Sequence, residues 1–130
     1  MILCIDGTEI TELVLASVDG NGDVVRDARI ATRPEEFLSH ITAFVQGEPV
    51  EGVIVVRGPG SATALRASIA IAETLAFATH VPVAGIARDA AWKSALVDGV
   101  AHPSSTQAVY AHEARITPSK KDSLRRQTEG

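Results

Sequence analysis

The chain has 130 residues, 45% of them hydrophobic and 22% charged, with a formal net charge of −4. That length leaves room for one domain and one core, and the acidic balance excludes a general attraction to nucleic acid or anionic membrane. Cys4 is the single cysteine, so an internal disulfide and a cysteine-built zinc site are excluded as well.

The opening MILCIDGTEI has no basic n-region, and no apolar run in the chain approaches ~20 residues. A cytoplasmic protein with no membrane contact is the expectation. Residues 1–6 and 12–19 read as strands, short and apolar between polar ends. Asp19-Gly20-Asn21-Gly22 tolerates positive φ and predicts a hairpin into a third strand, 23–30. A helix over 34–46 comes next, with Thr32 and Glu35 spaced as a capping box, Pro34 in its first turn and Gly47 to end it. Phe37, Leu38, Ile41, Phe44 and Val45 fall on its apolar face. The run 52–57 is nearly all apolar, as a strand covered on both faces should be. A long helix, 61–79, a strand, 83–87, and a short helix over about 89–97 complete the regular elements. Beyond Gly99 the chain turns polar, with one strand-like piece at 107–112, and reads as an extended tail, disordered after about residue 120.

The predicted order is βββαβαβα, with a mixed five-stranded sheet. The hairpin makes the first strands antiparallel and the crossover helices make the later pairs parallel. This is the order of one lobe of the ribonuclease H-like and actin-like ATPase folds.

Gly58-Pro59-Gly60-Ser61 joins the fourth strand to the long helix. Ser61 is a good N-cap, and the glycines free the backbone either to hold an anion at the helix N-terminus or to approach another backbone closely. No Gly-Lys-Ser/Thr comes after it, so this is no P-loop, and Gly60-Ser61-Ala62 has the wrong frame for a nucleophile elbow. Arg57, Gly60 and Ala62 do match the acyl-CoA turn of acetyltransferases, so an acyl-CoA-binding enzyme is one alternative. A metal-dependent nuclease is another, with Asp6, Glu9 and Asp89 as its carboxylates, although Arg57 stands where a further carboxylate is wanted. His40, His80, His102 and His112 show no metal-ligand spacing, and Cys4 reads as a small core residue. At ~100° per residue, Ala64, Ser68, Ile71, Leu75 and Ala78 share one side of the long helix, beside a stripe of Leu65, Ile69, Ala72 and Ala76. Arg66, Ala70, Glu73 and Phe77 form the outward line. An aromatic among small residues there suggests a surface for another helix. The other reading is that the alanines serve helix propensity alone and Phe77 folds down at the helix end. Trp92 is expected to pack the third helix onto the lobe.

VVRGPGSATALRASIAIAETLAFATHVPVAGIA, residues 55–87, resembles the signature of the TsaB family, Gly-Pro-Gly-Ser-Phe/Tyr-Thr-Gly-Leu-Arg before a small-residue helix. LCIDGT, residues 3–8, is similar to the family's opening strand, and AVYAHEARITPSKK, residues 108–121, to the closing segment of some members. Gly58, Pro59, Gly60, Ser61, Thr63, Leu65 and Arg66 carry the match, which spans about residues 1–98. Ala62, Ala64, Glu73 and Gly7 depart from the family pattern, and the expectation from the resemblance is a short form lacking most of the second lobe.

The resemblance implies an actin-like lobe over 1–99 and a non-catalytic role. The chain would support the TsaD protein in making threonylcarbamoyladenosine in tRNAs that read codons starting with A. The heterodimer contact would lie on helices 34–46 and 61–79, through Phe37, Ile41, Phe44, Arg66, Ala70, Glu73 and Phe77, and a homodimeric scaffold on the same helices is the further alternative. The resemblance implies no metal and no cofactor for the chain alone; ATP and Mg²⁺ would enter only at an interface shared with a partner. tRNA would be met only indirectly, or through the basic tail of Lys120, Lys121, Arg125 and Arg126.

Overall fold

The computed structural model describes residues 1–90. The expected helix at 89–97, Trp92, the strand-like piece at 107–112 and the basic tail lie outside the described residues, apart from Asp89 and Ala90, which sit in a turn. The described elements are β1 (Ile2–Glu9), β2 (Glu12–Val18), β3 (Val24–Ala31), a 3-10 turn (Pro34–Glu36), α1 (Phe37–Val45), β4 (Gly52–Val56), α2 (Ala62–Thr79) and β5 (Val83–Ile86). The sheet order is β3-β2-β1-β4-β5. β1 pairs antiparallel with β2 and β2 with β3, while β1 with β4 and β4 with β5 are parallel. The mixed five-stranded sheet is as the order of elements predicts.

The β2–β3 hairpin turns on Asp19. Its carboxylate accepts hydrogen bonds from the amides of Asn21 and Asp23 at 2.9 and 3.0 Å, and Gly22 takes φ 85°. β1 runs three residues past its predicted end. It does so through an irregularity between Asp6 and Glu9, where Thr8 donates from its amide and its hydroxyl to Asp6 Oδ1 before pairing resumes at Glu9 with Glu12. The Asp6 carboxylate thereby takes the Thr8 amide in place of a ladder partner where the register shifts.

Helix 34–46 starts differently from its prediction. Its first turn is 3-10, the N-cap is Arg33 with no side-chain bond, and the capping box does not form. Thr32 instead donates to Glu36 Oε1 at 3.2 Å, not to Glu35. Burial on α1 centres on Phe37, Ile41 and Phe44, and Leu38, placed on the apolar face by its spacing, sits at the open edge of that face and is 60% exposed. The helix ends on two left-handed residues, Gln46 at φ 52° and Gly47 at φ 76°.

α1 and α2 cover one face of the sheet and build the main core. Leu3 and Ile5 of β1, Leu13 and Leu15 of β2 and Val53 and Val55 of β4 meet Phe37, Ile41, Leu65 and Ala72 there. Each large side chain so buried is worth about 1.5–3 kcal/mol. All five residues of β4 are buried, as expected of a strand covered on both faces. Cys4, Ala16, Val18, Ile54, Val56 and Ile86 form a second cluster on the other face. Burial there pushes the Cys4 thiol up to about 12.

Candidate functional site

The glycine turn lies where the C-terminal ends of β1 and β4 converge on the N-terminus of α2. Gly60 has no positive φ to justify it; its reason is space. A Cβ on Gly60 would stand 2.6 Å from the carbonyl oxygen of Thr8, a separation no side chain survives. The close approach lets the Ser61 amide donate to that carbonyl at 2.9 Å, and the Ser61 hydroxyl caps α2 by accepting from Ala64 N at 3.4 Å. Gly58, at φ 118°, accepts from the Arg88 amide at 2.9 Å, across a cis bond to Pro59. Of the two roles open to this turn, the geometry supports close backbone approach.

The other polar groups at this end are engaged within the chain. The Arg57 amide donates to Ile86 at 2.9 Å, and Asp6 is occupied by Thr8. Glu9 pairs with the Arg88 guanidinium. With the Ser61 and Arg57 amides used in this way, the acyl-CoA reading of Arg57, Gly60 and Ala62 finds no support. Asp6 and Glu9 are not brought together as a carboxylate cluster either. Among the described residues no group of three or more His, Cys, Asp or Glu could hold a metal ion. Thr63, the last of the motif-turn residues, is exposed on the first turn of α2.

One glycine outside the motif does comparable packing. A Cβ on Gly7 would lie 2.6 Å from Ser68 Cβ and 2.9 Å from a Phe37 ring carbon, so β1 and α2 pack against each other here without room for a methyl. The small residues of α2, Ala64, Ser68, Ala72 and Ala76, therefore serve the chain's own sheet.

The expected partner residues divide into two groups. Phe37, Ile41 and Phe44 are 0%, 2% and 7% exposed, because α1 turns them into the core beneath the helices; as partner contacts Phe37 and Phe44 are corrected to core, while Ile41 also lines the groove between α1 and α2. Arg26 stacks over the Phe44 ring at 4.1 Å and donates to the Phe44 carbonyl, closing the solvent side of that position. Arg66, Ala70, Glu73 and Phe77 are exposed on α2, with Phe77 at 82%. They stand where the helical period placed them. Phe77 does not fold down at the helix end.

Beside that line, α1 and α2 enclose an open groove of about 570 Å³. Leu38, Ile41 and Val45 line it from α1, and Ala70, Ile71 and Leu75 from α2. Its surface is almost wholly apolar, and the hydroxyl of Thr42 is turned back to the Leu38 carbonyl at 2.9 Å. Leu38 and Thr74 belong to this site and escape sequence reasoning. The separation of the two helices, which no single helix reveals, decides that a groove exists.

Comparison with known proteins agrees with this architecture. The family model described as "TsaD: tRNA N6-adenosine threonylcarbamoyltransferase" matches residues 40–117. A tRNA N6-adenosine threonylcarbamoyltransferase of Geobacter metallireducens is 44% identical over 45 residues, which is 35% of this chain and 13% of that protein. Among solved structures, YeaZ from Pseudomonas aeruginosa superimposes with a TM-score of 0.56 at 20% identity, over 66% of this chain and 43% of its own. An uncharacterized protein with similarity to peptidase YeaZ from Pseudomonas aeruginosa gives the same score and identity, over 66% of this chain and 42% of that one. At such identity the likeness is one of fold, and the chain spans less than half the length of these relatives.

Proposed function

This chain is a TsaB-like member of the family described as TsaD, tRNA N6-adenosine threonylcarbamoyltransferase, and we propose that it serves there as a non-catalytic partner subunit. Its target is a TsaD protein, which it supports in threonylcarbamoyladenosine modification of tRNAs that read codons starting with A. The two proteins form a heterodimer through α1 and α2, in the cytoplasm, and the chain meets tRNA only through the complex or its basic tail.

One observation carries the reading. The α2 line and the α1–α2 groove form a continuous surface that exposes Phe77 at 82% and Leu38 at 60%. Exposed apolar surface with small residues at its centre suits a docking helix. The opposite end of α2 is occupied by the chain's own β1, and no metal-binding group gathers there among the described residues. Arg66, Ala70, Glu73 and Phe77 are therefore the contact residues proposed, with Gly58, Pro59, Gly60, Ser61 and Thr63 acting on the fold.

The test is co-purification of the chain with the TsaD protein of the same organism. A stable complex is expected for the wild type and none for Ala70→Glu, which places a charge in the contact while leaving the fold intact. Recovery of the same complex with both proteins would overturn the assignment of the contact to this face.

A further inference from the structure

The hydroxyl groups of the two helices are not all used alike. In α1, Ser39 donates to the Glu36 carbonyl at 3.1 Å and Thr42 to the Leu38 carbonyl at 2.9 Å. In α2, Ser68 donates to the Leu65 carbonyl at 3.3 Å and Thr79 to the Leu75 carbonyl at 2.7 Å. Each is returned to the turn before it, as helical Ser and Thr readily are. Thr63 stands in the first turn of α2, with no helical turn behind it. Thr74 has the Ala70 carbonyl one turn back and leaves it, making no side-chain hydrogen bond among the described residues. This hydroxyl is exposed and lines the α1–α2 groove. Ala70 and Ala78, one turn away on either side, line the groove with it. Neither reaches past a methyl, so the hydroxyl is open to a side chain lying along the groove. From α1, the Thr42 hydroxyl is already bonded and the other lining side chains are aliphatic.

Resting on the reading of this face as the contact with the TsaD protein, we infer that Thr74 is the specificity-determining residue of the groove. It bonds one uncharged polar side chain, an amide or a hydroxyl, on an otherwise apolar docked helix, and so fixes that helix in register. Docking takes water from the Thr74 hydroxyl. A helix apolar throughout leaves it without a partner, which disfavours that helix against one that supplies the bond. A charged group in the same place would lose more hydration than one hydroxyl returns. Sliding the right helix by one residue turns its polar side chain about 100° away and meets the same penalty. A lone polar position in an apolar helix contact selects register in this way.

Titration of the full chain with the TsaD protein of the same organism tests this. Thr74→Val keeps the shape of the side chain, removes the hydroxyl and should weaken the complex at least about fivefold. Thr74→Ser keeps the hydroxyl and loses a methyl, and should bind more tightly than Thr74→Val. Burial of apolar area alone ranks these two variants the other way. Thr42→Val removes a hydroxyl that serves its own helix and should stay within about twofold of the wild type. Both positions are exposed, and circular dichroism should show each variant folded. A wild-type complex that Thr74→Val holds as tightly, that ranks Thr74→Ser below Thr74→Val, or that Thr42→Val weakens as much would overturn the inference and leave the heterodimer standing. A wild type that forms no complex would overturn both.

Discussion

The two ends of α2 differ in what their residues touch. At the N-terminal end, Gly60 and Ser61 are fitted against Thr8 and Ser68 against Gly7, with no room for one more carbon on either glycine. Toward the C-terminal end, Ala70, Thr74, Phe77 and Ala78 face outward beside an apolar groove. The most distinctive letters of the chain, Gly-Pro-Gly-Ser, belong to the first region and hold its fold together. The second region is spelled in alanine, threonine and one phenylalanine, and the proposed function rests there. A motif that identifies a family need not be the surface on which the protein acts.

Substitutions can break this contrast. The largest stability effect is expected at the tight end. Gly60→Ala and Gly7→Ala should each cost about 3 kcal/mol, the upper range for overpacking, since each new methyl meets backbone or a buried side chain. Denaturant unfolding reads this directly. Gly20→Ala, where an added carbon meets nothing within 4 Å, should stay within about 0.5 kcal/mol as a control. Equal effects at Gly20 and Gly60 would remove the packing argument.

The sheet face behind β1 supplies a pH test. The Cys4 thiol is raised from 9.0 to about 12 by burial, so below pH 9 it is protonated in both states and its contribution is constant. As pH climbs from 9 toward 12 the unfolded chain releases the proton and the folded chain keeps it. Stability should fall there by about 1.4 kcal/mol per pH unit relative to Cys4→Ala. Parallel curves for the two proteins would show that the thiol is not sealed in the fold.

A smaller loss, about 1 kcal/mol, is expected for Ser61→Ala, which removes the side-chain cap of α2 and leaves its backbone bonds in place. The smallest belongs to the outward end, where Phe77→Ser should change stability by no more than about 0.5 kcal/mol while weakening the complex with the TsaD protein. If Phe77→Ser unfolded the chain, the residue would be part of the core and the contrast would fail.

Much of this fold is legible in the sequence, for local reasons. Asp19 to Gly22 specify their turn by side-chain chemistry, Ser61 caps its helix where expected, and the unbroken apolar run of β4 reads as the buried strand it is. The misreadings arise where one local rule displaces another. The 3-10 start of helix 34–46 dissolves the predicted capping box, and burial centred on Phe37, Ile41 and Phe44 leaves Leu38 at the open edge of its face. The predicted strand stops at Asp6, whereas β1 runs on to Glu9, with the Asp6 carboxylate accepting from Thr8 on the way. For the candidate site, the outward line of α2 is set by the helical period. Phe37, Ile41 and Phe44 escape the same reasoning, because a helix wheel identifies an apolar face without saying whether it meets the chain's own sheet or another protein. The groove depends on the distance between two helices, a tertiary quantity no periodicity encodes.

Hydrogen exchange of the chain with and without the TsaD protein of the same organism tests the central claim most directly. Added protein should slow amide exchange over 38–45 and 70–78 and leave 6–9 and 57–61 unchanged. Protection centred on the glycine turn and the end of β1, with the helical face unaffected, would contradict the account.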